Sequence, residues 1–382
     1  MLDIKKILTR SFHILWNYRM LWVFGFILAL TVAGGSSGSN SARTSSGGNS
    51  GNNGNTGNNQ QFNIQPGNGW ENLKGNTPRE KMADAFRQIG DAIAQLHAKY
   101  PVEFQMGIAV AVTILVMLMI FSFIGAILRY VAETSTIRMV NEYEQTSVKV
   151  GFRQGWKYGW SRASWRLFLI NFIVHIPTLI LFVILGLIGW WIVTAVLSGV
   201  ETSLVTSLIA GIGLAFISIL VTIVVMVVLY LLRDISWRIS VLEDAGVMDA
   251  LRRGGDLMKR NWKNVGLMWL VMIGIKIAWA LVFFLLIFPL LIVSVITAVG
   301  GVLVAVIPGL LTVGIASLLS APDYWPWVFA AVISLPLFAS VAFSPILLVR
   351  GWGLTYESSV WTLTYRELKA LETVAPAIAI PE

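Results

Sequence analysis

The sequence predicts an all-α integral membrane protein: a six-span helical bundle assembled from repeated units, each an amphipathic helix followed by a helical hairpin. Three observations carry this. Of 382 residues, 56% are apolar and only 13% charged. A water-soluble domain carries about 25% charged residues, so this chain lacks the charge to cover a wet surface and lipid must face much of it. The apolar residues gather into stretches long enough to cross a hydrocarbon core. The basic residues fall on alternate sides of those stretches, the positive-inside asymmetry. It predicts both termini on the cytoplasmic side.

Residues 1–33 read as a cytoplasmic amphipathic start and span 1, roughly Met20 to Ala33. Lys5, Lys6 and Arg10 precede it, and Trp16, Tyr18 and Trp22 have the character of an interfacial belt. An uncleaved anchor is expected, although Thr31-Val32-Ala33 has the small-residue form of a signal cleavage site. Residues 34–76 are a Gly/Ser/Asn-rich outer loop, too polar to offset its ordering entropy and so expected to be disordered. Residues 77–100 are an outer amphipathic helix. Thr77-Pro78-Arg79-Glu80 has the form of a capped start, and Met82, Phe86, Ile89, Ile93 and Leu96 make one stripe. Residues 101–232 hold spans 2 to 4, about Gln105 to Leu128, Leu167 to Val196 and Leu204 to Leu232, with a first basic cytoplasmic helix after span 2. Residues 233–350 hold a second basic helix, span 5 from near Asn264, and span 6 from about Trp327 to Leu348. The apolar run of span 5 continues to Ala298, about 50 Å at 1.5 Å per residue, so Pro289 is expected to kink or end it. Segment 302–319, centred on Pro308-Gly309, reads as re-entrant or interfacial, because a seventh crossing would place the C-terminus outside. Residues 351–382 are a cytoplasmic C-terminal helix and tail. Trp190, Trp191, Tyr324, Trp325 and Trp327 are expected at the outer interface.

The two basic segments look like copies. Glu144-Gln145-Thr146-Ser147-Val148 matches Glu243-Asp244-Ala245-Gly246-Val247, Arg153-Gln154-Gly155 matches Arg252-Arg253-Gly254, and Trp165-Arg166 matches Trp262-Lys263, each ahead of a long span. A weaker third copy opens the chain, Arg10 to Leu15 resembling Arg252 to Leu257. In the first copy Val148, Phe152 and Trp156 form a row beside Lys149, Arg153 and Lys157. That suits a helix lying at the headgroup level, and it suits equally well a helix packed under the spans. Lys149, Arg153, Lys157, Arg252, Arg253, Lys259 and Arg260 are the candidate contacts for anionic headgroups.

Little else carries chemistry. There is no cysteine, hence no disulfide, thiolate metal site or lipidated thiol. His13, His97 and His175 lie apart, with no second ligand at metal spacing, and no phosphate loop or nucleophile elbow is present. No cofactor is expected. The net charge of +8 lies beside the spans, so it predicts anionic lipid rather than nucleic acid as partner. A membrane protein partner is compatible with the same surface, and the oligomeric state stays open. Gly211, Ser207 and Ala215 repeat at four-residue spacing, a close-packing face. Two residues within the spans suggest a polar site: Lys276 in span 5 and His175 in span 3, with Asn171 the nearest polar companion of His175. A lysine at bilayer depth costs at least about 2.5–3.5 kcal/mol and so faces a partner or water. Snorkelling of Lys276 and a His175 bonded to a backbone carbonyl are the bland alternatives. No carboxylate is expected inside the spans.

Gly151 to Trp165, Glu243 to Trp262, the segment Ser358 to Arg366 and the opening Trp16-Asn17-Tyr18 to Trp22-Val23-Phe24-Gly25 resemble uncharacterised bacterial membrane proteins related to the membrane domain of some glycerophosphodiester phosphodiesterases. The resemblance covers most of the chain apart from 34–100. It implies a multi-span helical domain; the hydrolase of that family is a separate soluble domain, so its activity does not carry over. The expected function is therefore non-enzymatic: a membrane scaffold or lipid-interacting protein. The alternative is a small-molecule or lipid transporter with a midplane site at His175 and Lys276.

Overall fold

The computed structural model describes residues 2–34, 78–99, 101–198, 201–319 and 324–378. Among them all regular structure is helical: α1 (Ile4–Asn17), α2 (Met20–Gly34), α3 (Pro78–Lys99), α4 (Pro101–Thr146), α5 (Phe152–Gly159), α6 (Arg162–Ser198), α7 (Glu201–Leu242), α8 (Val247–Arg260), α9 (Trp262–Leu318), α10 (Trp325–Ala342) and α11 (Ser344–Ile378). Five segments are long and apolar enough to cross a membrane, in α4, α6, α7, α9 and α10; α1 and α2 add a sixth only as one pair bent by 97°. Alone, the 15 residues of α2 reach about 22 Å, short of a core of about 30 Å. The predicted disordered loop, from residue 35 on, lies outside the described residues, as does the connection around Asp323.

Pro289 does not end span 5: α9 runs through both prolines to Leu318, and 302–319 continues it as helix. A proline removes one backbone bond, but leaving the helix among apolar residues would orphan many more polar groups. The second half of α9 pairs with α10 as a packed hairpin. Ser334 Oγ donates to the Ala305 carbonyl at 3.0 Å and Thr297 Oγ1 to the Ala342 carbonyl at 2.8 Å. Span 6 also ends earlier than expected, at Ala342, where Phe343 breaks the chain and α11 begins.

The chain divides into two compact units. One comprises residues 1–35, 112–184 and 218–382, the other 36–111 and 185–217. Within the second, α3 presents Phe86 and Ile89 to the surroundings. A side chain at Gly211 would meet Ile192 at 2.6 Å, so the small-residue face does mark a close approach between α6 and α7.

The first unit is layered along its helices. On α4, Val112 to Ile124 is largely exposed and apolar, whereas Tyr130 to Val140 is buried; on α7 the exposed stretch ends at Val228 and burial begins at Leu231. The buried layer also takes Ile7 and Ile14 of α1, Phe24 of α2, Leu257 of α8, Val265, Met268 and Met272 of α9, and Val360 to Leu368 of α11. Its composition differs from a Leu/Ile core. Thr134, Ser135, Thr136, Ser236, Ser240, Ser359, Thr362 and Thr364 are buried in it. Ser135, Thr136, Ser359, Thr362 and Thr364 donate to carbonyls four residues back. These thin side chains satisfy themselves within their own helix and let neighbouring backbones close in. One such approach is at Gly25 of α2 and Gly351 of α11, where a Cβ on Gly25 would stand 2.6 Å from the Gly351 carbonyl oxygen. The short helices α5 and α8 are set up alike. Each follows a residue with positive φ, Ser147 at 57° or Asp244 at 53°, and an extended glycine N-cap, Gly151 or Gly246. Gly159 then rests on Val131 and Ser135, and Gly254 on Ser236.

Candidate functional site

At the boundary between the buried layer and the exposed apolar surface, four helices bring charged side chains together. Lys276 of α9 leaves the buried face one turn after Met272. Its Nζ stands 2.7 Å from Glu357 Oε1 on α11 and donates to the Tyr230 hydroxyl of α7 at 3.3 Å. The Tyr230 hydroxyl donates to the same carboxylate oxygen at 2.5 Å. Arg233 lies over the rings of Tyr230 and Trp237, 5.0 and 4.7 Å from their centroids, and pairs with Asp234 at 3.3 Å. Asp234 faces Arg238 at 3.7 Å, and Arg238 faces Glu133 of α4, also at 3.7 Å. Ser358 Oγ donates to Glu133 at 2.8 Å. The Arg238 guanidinium, 2% exposed, also donates to the Asp234 carbonyl at 2.7 Å. Lys276, Arg233 and Arg238 thus balance Glu357, Asp234 and Glu133. Buried charges persist where each is paired and hydrogen-bonded.

Beside this network opens a cleft of about 1830 Å³ between α1, α2, α4, α9, α10 and α11. Its wall is mostly apolar, with Phe121, Trp279, Phe283 and Leu337 among the large side chains, while Arg129, Lys276, Arg350 and Glu357 supply charge. Ordinary small-molecule pockets run about 300–1,000 Å³, so the space suits a molecule with long apolar parts. Among the described residues, no carboxylate stands within ion-pair distance of Arg129 or Arg350. Lysine and arginine side chains on one wall are groups that can hold negatively charged oxygens.

The residues expected from sequence are not all brought together. Lys276 is on the cleft wall and has a partner. His175 is not on that wall; its Nδ1 lies 2.7 Å from the Asn171 carbonyl one turn back in α6. The Asn171 side chain reaches the Tyr130 hydroxyl instead. No carboxylate is expected inside the spans, and the partner of Lys276, Glu357, comes from α11. That residue stands after the predicted end of span 6, but α11 carries it back beside α9. A signal for the carboxylates was present: Glu133-Thr134-Ser135, Asp234-Ile235-Ser236 and Glu357-Ser358-Ser359 each set an acid two residues before a serine, at the level where α4, α7 and α11 enter the buried layer. Of the basic candidates, Lys149, Arg153, Lys157, Arg252 and Lys259 are exposed. Arg253 pairs with Asp249 and Glu243, and Arg260 lies 3.7 Å from Glu372. Burial alone would raise the Glu243 carboxyl. Hydrogen bonds from Lys369 and Tyr365 and the charges of Lys369 and Arg253 outweigh it and hold the group below the usual carboxylate range. Around α5, Phe152, Trp156 and Trp160 stack in series, with Phe152 and Trp160 exposed beside the free cations.

A family model described as a family of unknown function (DUF7544) matches residues 8–361. It does not link the chain to the glycerophosphodiester phosphodiesterase membrane domain. No curated protein matches the chain, and no solved structure does.

Proposed function

The chain belongs to this family of unknown function, and from that premise we propose that it is a non-enzymatic, lipid-interacting membrane protein that seats one amphiphile in its large cleft. The observation that carries the reading is the cleft itself: about 1830 Å³ with a mostly apolar wall on which Arg129, Lys276, Arg350 and Glu357 also stand. In this reading the exposed halves of α4, α6, α7, α9 and α10 meet the hydrocarbon. The buried layer stands at and beyond the cytoplasmic headgroups, with six crossings and both termini on that side, as the basic connectors favour. The α5 and α8 segments are then repeated interfacial helices. Phe152 and Trp160 dip toward the acyl chains, and Lys149, Arg153, Lys157, Arg252 and Lys259 meet anionic headgroups. Holding is favoured over carriage across the bilayer because Arg350 and Glu357, both on α11, lie within two turns of each other near the boundary, and His175 offers no second station on the wall.

The test is photo-crosslinking in vesicles with a phospholipid bearing a diazirine near the chain end. Gly125 lies on the wall, and a Cβ there would have open space, so Gly125→Phe is chosen to narrow the cleft. Adducts at Ala339, Ser340 and Phe343 are expected in the native protein and lost in G125F, while adducts on the outward-facing Leu285 and Phe288 remain. Native protein crosslinked only on outward faces would overturn the reading.

A further inference from the structure

The geometry points to an anionic phospholipid as the occupant of the cleft, its phosphate taking Lys276 away from Glu357. This rests on the reading of the cleft as an amphiphile site and adds the charge class of what enters it. The charged side chains on the wall are Arg129 of α4, Lys276 of α9, and Arg350 and Glu357 of α11. They leave an excess of two positive charges facing an otherwise apolar space. A zwitterionic head would leave that excess uncompensated, and a neutral one would compensate none of it. A phosphate diester with a second headgroup of no charge compensates one of the two, and guanidinium groups fork onto its oxygens while an ammonium binds them as a point charge.

The Lys276–Glu357 pair is built to open. Lys276 is the least buried member of the network, with a side chain 49% exposed, whereas Glu357 is 24% exposed. When Lys276 turns to a ligand phosphate, Glu357 keeps the hydrogen bond from Tyr230, so neither charge is stranded. Arg233, Asp234, Arg238 and Glu133 are paired among themselves and need not move. Glu357 therefore acts as a resident competitor for the ligand's place on Lys276, and only a fully anionic head displaces it.

The experiment uses full-length protein in nanodiscs of equimolar phosphatidylglycerol and phosphatidylethanolamine, released into native mass spectrometry, with free oleate as a separate arm. Retention of phosphatidylglycerol over phosphatidylethanolamine by about fivefold or more is expected. The Arg129→Gln/Arg350→Gln double variant should bring that ratio close to one, and Glu357→Gln should raise phosphatidylglycerol retention about two- to threefold. Gly125→Phe guards against a general surface effect. If the preference survives in G125F, it belongs to the basic rim and the inference falls. Equal retention of both lipids, abolished by G125F, would overturn the charge selectivity and leave the cleft as an amphiphile site. Retention untouched by G125F would overturn both. Preferential retention of oleate over phosphatidylglycerol would replace the phosphate by a carboxylate head and so overturn the inference as stated.

Discussion

Arg238 shows why single residues in this protein carry large effects. It is buried to 2% exposure between Asp234 and Glu133, so removing it leaves Asp234 with Arg233 alone and takes from Glu133 the guanidinium it faces. Breaking a buried pair from one side costs about 3–5 kcal/mol. Arg238→Met should therefore lose stability of that order in thermal unfolding of detergent-solubilised protein, while Arg153→Met on the exposed rim should change it by less than about 0.5 kcal/mol. Glu243 gives a pH dependence with a definite sign. Its folded pKa lies below the unfolded carboxylate value of about 4.3, so its contribution is complete above that value and disappears as pH falls from there through the lower folded pKa. Melting temperature measured between pH 6 and pH 3 should fall more steeply for the native protein than for Glu243→Gln. At this scale the sequence made Lys276 conspicuous, because a lone cation in an apolar run has few explanations. It hid Glu357, because an acid 81 positions later can be recognised as a partner only once the packing of α11 on α9 is known.

Among the helices, one tight backbone contact is set where α2 crosses α11. Gly25 and Gly351 bring two backbones into contact, and a methyl group on Gly25 would fall on Thr355 Oγ1 as well. Overpacking of this kind costs about 1–3 kcal/mol, so Gly25→Ala should lower the melting temperature. Gly274→Ala in α9, where a Cβ meets nothing within 4 Å, should instead gain about 0.5–1 kcal/mol through helix propensity. The amphipathic α5 was legible from its alternating rows, as were the positions of the long apolar helices. The apolar run of span 5 is longer than a hydrocarbon core requires, which points to a kink or an end at Pro289, yet α9 does not end there. Among apolar neighbours the same proline stays in the helix. If α5 lies in the headgroup plane, a spin label on Trp160→Cys in the naturally cysteine-free chain should be relaxed more by dissolved oxygen than by a water-soluble nickel chelate. The reverse ratio would place α5 in water.

Across the whole chain, composition announced a lipid-facing protein, and five long apolar helices agree with it. What composition could not announce is that α4, with 46 residues, and α7, with 42, extend about 69 and 63 Å, more than twice a hydrocarbon core. The polar buried layer occupies part of that extra length. Its Ser and Thr residues read as linker in a hydropathy scan, since hydroxyls lower the average without marking burial. In vesicles, cysteines at Phe288 and Val295 should resist an aqueous maleimide, whereas Lys157→Cys and Met248→Cys should react from a common side. Reaction of the last two from opposite sides would overturn the arrangement of the connectors. The crossing of α2 with α11 also sets a schedule for making the protein. The groups that meet there, such as Thr355 Oγ1 and the Leu21 carbonyl, are 334 residues apart in sequence. At synthesis rates of about 5–20 residues per second, the first helices wait on the order of 17–67 s before their partner exists. During that interval Gly25 of α2 waits without the α11 backbone that covers it in the folded chain.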